Sequence, residues 1–185
     1  MHRPRNAPHL YDGKYPFIQT GAIARARGKF VTEYSQTLSE AGLATSAMMR
    51  KGTLVMAIAA NIGDVAILSF DSCAPDSVLG FQPTSHANTD FLYYALTAKR
   101  EEFTSEAPIT SQSNLNVERV GMVTVPLPPV GEQLEIVRTL DARLERISRI
   151  ATKALTIKRL LLERRSALIS AAVIGKINVS SEGVG

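Results

Sequence analysis

The segment Val125-Pro126-Leu127-Pro128-Pro129-Val130-Gly131 constrains this chain most, because the run that follows it, Glu132 to Ile174, contains neither proline nor glycine. Three prolines in four positions cannot continue a strand ladder or lie inside a helix, so the chain changes character there. Beyond them Leu134, Val137, Leu140, Leu144, Ile147, Ala151, Leu155, Leu162 and Ile169 recur at steps of three, four and seven, which predicts one long amphipathic helix. Such a helix would measure on the order of 60 Å, more than the preceding domain needs. Its apolar stripe therefore requires a partner. Lys158 and Arg165 interrupt a strict heptad, which favours a packed helix pair with a broad contact face over a uniform leucine zipper. Gly175 supplies the stop signal, and residues 176–185 form a loose tail.

Upstream, short apolar runs separated by Gly, Asn, Asp and Ser predict strands over Tyr15–Thr20, Thr53–Ala59, Val65–Phe70, Val78–Gln82 and Met122–Val125. Asn61-Ile62-Gly63-Asp64 is the expected turn between the second and third. Thr89-Asp90 opens a helical pattern through Phe91, Leu92, Ala95, Leu96 and Phe103, with Asp90 suited to the positive helix terminus. A shorter helix is expected around Leu115 to Val120. The organisation is an N-terminal segment (1–14), an α+β domain (15–130), a long helix (131–175) and a flexible tail (176–185).

The 185 residues hold one compact domain with an appendage, not two enzyme domains. With 45% hydrophobic and 21% charged residues a folded core is expected. No stretch approaches the roughly 18 apolar residues of a membrane span, and the two N-terminal arginines precede no apolar signal region, so a cytoplasmic location is expected. The single cysteine, Cys73, is expected as a buried, inert thiol. Met1 to Gly131 carries 11 basic and 11 acidic side chains, whereas Glu132 to Gly185 carries 10 and 6; the whole excess of +4 lies in the C-terminal third. A basic excess suits an acidic partner such as nucleic acid, although charges on a helix also serve as its solvated face.

Enzyme sites are sparse. The glycines form neither dinucleotide nor triphosphate cradle, and no G-x-S-x-G elbow is present. His2, His9 and His86 are scattered, no metal site is expected, and Asp76 after Pro75 reads as a turn residue. What remains is a set of side chains able to read bases: Gln19, Thr20, Asn61, Gln112, Ser113, Asn114 and Asn116 at predicted strand ends and turns. Arg25, Arg27, Lys29, Arg50, Lys51 and Arg119 lie near them in sequence. Asn and Gln pair with adenine, Arg and Lys with guanine or with phosphates. Singly, each also has a structural use, Asn61 as a turn former and Ser113 or Asn114 as a helix cap.

Several phrases resemble the DNA specificity subunit of type I restriction-modification systems, the HsdS family: Tyr15-Pro16-Phe17-Ile18-Gln19-Thr20-Gly21-Ala22-Ile23, Lys51-Gly52-Thr53-Leu54-Val55-Met56 with Asn61-Ile62-Gly63, Phe91-Leu92-Tyr93-Tyr94-Ala95-Leu96, the junction from Leu115-Asn116 to Glu132-Gln133, and the closing run from Glu163 to Ile177. The junction is the most specific of these. Two positions depart from the family pattern, which more often has an acidic residue at Ala22 and at Gly131; the glycine is expected to loosen the helix start. The resemblance implies a mixed-sheet target recognition domain followed by a long helix that pairs as a coiled coil. It implies a non-catalytic protein that directs methyltransferase subunits, and restriction subunits where present, to double-stranded DNA. S-adenosylmethionine, ATP and magnesium would bind those partners and no cofactor this chain. Members of the family carry two such domains and two helices. One of each implies either a half-subunit that forms a homodimer on a bipartite target or a truncated fragment; a scaffold that binds protein instead of DNA is the alternative reading. The expected DNA contacts are Gln19, Thr20, Arg25, Lys29, Asn61, Gln112 and Asn114. The expected pairing contacts are Leu140, Leu144, Ile147, Ala151, Leu155 and Leu162.

Overall fold

The computed structural model describes residues 7–26, 28–105 and 117–177, and the chain divides into two compact units, Met1–Val137 and Arg138–Gly185. The first unit is α+β. After a 3-10 turn at Pro8–Leu10 come β1 (Tyr11–Phe17), α1 (Thr20–Ala24), β2 (Phe30–Val31), β3 (Gln36–Leu38), α2 (Glu40–Ala44) and β4 (Ala47–Met49). They are followed by β5 (Leu54–Ala57), β6 (Val65–Leu68), β7 (Ser72–Ala74), β8 (Val78–Phe81), α3 (Thr89–Ala98), α4 (Arg100–Ser105) and α5 (Val117–Met122). Two four-stranded mixed sheets result, ordered β3-β1-β7-β4 and β2-β6-β5-β8. In the first, β1 lies antiparallel to β3 and parallel to β7; in the second, β6 lies parallel to β2 and antiparallel to β5.

Why β5 and β6 read as unbroken apolar runs is clear from what covers them. Every residue of both strands is buried, the pattern of a strand covered on both faces. Leu54, Met56, Val65 and Ile67 face a core with Leu96 of α3, Phe103 of α4 and Val120 of α5. Their alternates Val55, Ala57, Ala66 and Leu68 face a second core with Ile18, Ile23 of α1 and Val31. Fully burying one such side chain contributes about 1.5–3 kcal/mol, so these two strands anchor the domain.

Three expectations need correction. The strand expected over Tyr15–Thr20 begins earlier and ends at Phe17: Ile18 is buried, Gln19 is still extended, and Ala22 N–H bonds back to the Gln19 carbonyl to open α1. Met122–Val125 is not a strand. Its residues end α5 and continue without a ladder partner, while Val123 and Val125 pack against the first core; their apolarity reflects burial, not pairing. The helical pattern from Thr89 is two helices, with a break at Lys99 that turns Phe103 fully into the core. The expected Asn61–Asp64 turn joins β5 to β6, and Asp76 sits in a turn closed by Val78 N–H on the Pro75 carbonyl. Cys73 is buried on β7.

The long helix, α6, spans Val130–Val173. It starts ahead of the expected Glu132, and Gly131 lies within its first turn without delaying it. Gln133 N–H already bonds to the Pro129 carbonyl, and the Gln133 side chain is wholly buried: Nε2 donates to the carbonyls of His86 (2.8 Å) and Pro128 (2.7 Å), while Oε1 accepts from Asn88 N–H (2.8 Å). Asn88 in turn caps α3 through Phe91 N–H. At the other end Gly175 takes φ +72°, with Lys176 N–H on the Ala171 carbonyl and Gly175 N–H on that of Ala172, a Schellman stop that needs glycine. No helix among the described residues is long and apolar enough to cross a membrane.

Candidate nucleic-acid interface

Pairing of Phe17 with Gln36 brings the end of β1 and the start of β3 together. Ile18 then locks the exit of β1 in place: it is fully buried, and its N–H bonds to the Cys73 carbonyl at 3.0 Å. The next side chain, Gln19, emerges at the surface as the N-cap residue of α1 but makes no capping bond. Its Nε2 instead donates to Oε1 of Gln36, which is also exposed. Thr20 follows, half-buried, as the first residue of α1. Ile23 pins that helix to the core, which leaves Arg25 exposed at its C-terminal end with its guanidinium folded over Gly21.

A shallow cleft of about 110 Å³ runs between α1 and the loop from β2 to β3. Ala22, Arg25 and Ala26 form one wall; Val31, Thr32, Glu33, Tyr34 and Ser35 form the other. Tyr34 is 49% exposed and held edge-on to Phe70, with ring centroids 5.3 Å apart. The structure thus gathers three of the sequence-predicted residues, Gln19, Thr20 and Arg25, on one continuous surface, and adds Tyr34 and Gln36. Such a surface offers amide, hydroxyl, guanidinium and aromatic groups, the vocabulary of base-edge and backbone contact.

Other predicted residues lie elsewhere. Lys29 Nζ is 2.6 Å from an Asp90 carboxylate oxygen, its side chain only 14% exposed and its ammonium 5.5 Å from the Tyr94 ring centroid, so the charge offered to a phosphate is already met inside the domain. Asn61 is half-buried in the β5–β6 turn, where its carbonyl accepts from Asp64 N–H at 3.1 Å. Gln112 and Asn114 fall outside the described residues. On α6 Leu140 is half-buried, and Leu144, Ile147, Ala151, Leu155 and Leu162 are exposed. Gln36 and Tyr34 were not singled out from sequence; β3 is three residues long, too short to show a period.

Several of the remaining charges are met in pairs. Asp71 accepts from Lys51 N–H at 2.8 Å and from Arg50 at 2.9 Å, and these bonds, the backbone one foremost, hold its carboxyl below the ordinary aspartate value. Glu40 is lowered by Lys14 and then Tyr15, and Lys14 is raised in return. Among the described residues no group of three or more His, Cys, Asp or Glu side chains could hold a metal ion.

A sequence model described as the type I restriction modification DNA specificity domain matches residues 3–159. Among solved structures, a chain from work on complex assembly and conformational transition of the type I R-M system superposes with a TM-score of 0.74 at 17% identity, covering 90% of this chain and 40% of that one. The HsdS subunit from Thermoanaerobacter tengcongensis matches with a TM-score of 0.61 at 20% identity over 79% of this chain and 34% of that one. The type I restriction-modification S subunit from M. genitalium gives 0.54 at 20% identity over 79% and 36%. The chain therefore spans well under half the length of these proteins. At such identities the superpositions establish the fold, and the match over residues 3–159 establishes the family: this chain belongs to the type I restriction-modification DNA specificity domain family.

Proposed function

We propose that the first unit recognises one half of a bipartite DNA target, and that α6 pairs with a second copy of itself and docks methyltransferase subunits. Family membership is the observation that carries this reading. Catalysis belongs to the partners, which bind S-adenosylmethionine, ATP and magnesium, and a restriction subunit joins where the system has one. Gln19, Thr20 and Arg25, on the surface beside α1, are the proposed base and backbone contacts. Asn61, Gln112 and Asn114 extend the set, and Lys29, just before β2, contributes through its ion pair with Asp90 of α3. Two-fold pairing makes the target an interrupted palindrome.

The test is to express the chain with its cognate methyltransferase in a host free of other methylation and to map modified bases genome-wide. A split palindromic motif is the expected result. Co-purification of the two proteins without any motif would overturn DNA recognition in favour of a scaffold, the second reading, which the neutral charge of Met1 to Gly131 favours.

A further inference from the structure

We infer that Gln19 and Gln36 act as one coupled unit that reads an adenine in the major groove, with Gln36 as a specificity-determining residue; the inference rests on the DNA-recognition reading above. The amide–amide bond uses one end of each side chain, Nε2 of Gln19 and Oε1 of Gln36. What each has left is complementary: Gln19 keeps its acceptor oxygen and one N–H, and Gln36 keeps an amino group with two N–H donors. Reversing both amides exchanges the roles but still leaves a free amino group beside an acceptor oxygen. Neither glutamine has another side-chain partner among the described residues, and both are exposed.

Backbone geometry makes this pair more than two neighbouring surface amides. Gln36 is fixed by its ladder position opposite Phe17, and Gln19 by the buried Ile18 before it and by the turn of α1 after it. Gln19 makes no capping bond to α1, so its side-chain amide is held by Gln36 and not by the helix terminus. An acceptor and a donor side by side match the adenine edge, which presents the N6 amino group beside N7. Guanine offers two acceptors there, cytosine a donor, and thymine an acceptor with a methyl group.

The experiment uses the full chain with its methyltransferase. Once the wild-type motif is mapped, the same mapping is repeated for Gln19→Ala, Gln36→Ala and Gln36→Glu. Each alanine variant should lose roughly 5- to 150-fold of discrimination at the same single A·T position, and the double variant should lose no more than either alone. Gln36→Glu leaves two acceptor oxygens, so that position should shift toward cytosine, whose N4 donates. An unchanged motif, or a uniform loss at every position, overturns the coupled reader. A second measurement needs no variant: in duplexes carrying the motif, 7-deazaadenine, which lacks the N7 acceptor, is placed at each adenine in turn. Binding by the wild-type complex should weaken at one non-methylated adenine; insensitivity at every such adenine sinks the inference while leaving DNA recognition intact. Absence of any motif in the wild type would instead defeat the parent reading.

Discussion

Gln133 makes three side-chain hydrogen bonds at a fully buried position. Replacing it with leucine fills the space but strands Asn88 N–H and the His86 and Pro128 carbonyls, so Gln133→Leu should cost about 2–4 kcal/mol, read as a lowered denaturant midpoint at unchanged slope. The Glu-Gln after the prolines was legible in sequence as part of a family phrase, but its burial was not, because two of its three partners, at His86 and Asn88, are backbone atoms of a loop 47 and 45 residues away. Asp71 makes a prediction about pH. Its carboxyl lies below the ordinary value because Lys51 N–H, and then Arg50, stabilise the ionised form. The contribution is therefore present above the unfolded aspartate pKa and is lost as pH falls through the lowered folded value. An NMR titration should show the Lys51 amide resonance moving at a pH below that of a free aspartate, and Asp71→Asn should abolish that transition.

Periodicity reported the long elements faithfully and the short ones hardly at all. A run from Glu132 to Ile174 repeats its apolar spacing many times, and α6 ends within two residues of the expectation. By contrast β3, β4 and β7 have three residues each, and β2 has two; their strand character comes from partners far along the chain. Gly42 illustrates the same point. A methyl group there would stand 2.0 Å from the Leu10 carbonyl oxygen, a close approach of α2 to the 3-10 turn that nothing local announces. Gly42→Ala should therefore cost about 1–3 kcal/mol or more, measured by thermal or denaturant unfolding. For α6 the exposed stripe sets the prediction. A charge introduced by Leu144→Glu would have to be desolvated in any helix pair, so the mass from light scattering should fall from dimer to monomer. A mass that does not change would remove self-pairing.

At the scale of the molecule, the division into two units falls after Val137, within the helical run and beyond the proline segment, while the sheet order could not be read because among the described residues no strand pairs only with its neighbour in sequence. The charge division leads to a prediction about salt. A recognition unit without a basic excess neutralises few phosphates, so DNA affinity of the chain alone should fall only about tenfold between 50 and 200 mM salt, the slope of about two contacts. Fluorescence anisotropy checks this, and a steep slope would mean that the basic side chains of α6 touch DNA. The interleaved sheets also govern how the protein is made. Among the described strands β1 can pair with β3 early, but it is joined to β4 only through β7, and β2 joins its sheet only through β6, so the first sheet is incomplete until Ala74 has emerged and the second until Phe81. Contacts of this sequence separation form slowly. The helical segment, with contacts of short range, can coil as fast as it is synthesised, so the nascent chain exposes its unfinished sheets early and its sticky helix late, two separate intervals in which a chaperone or a sister chain can intervene.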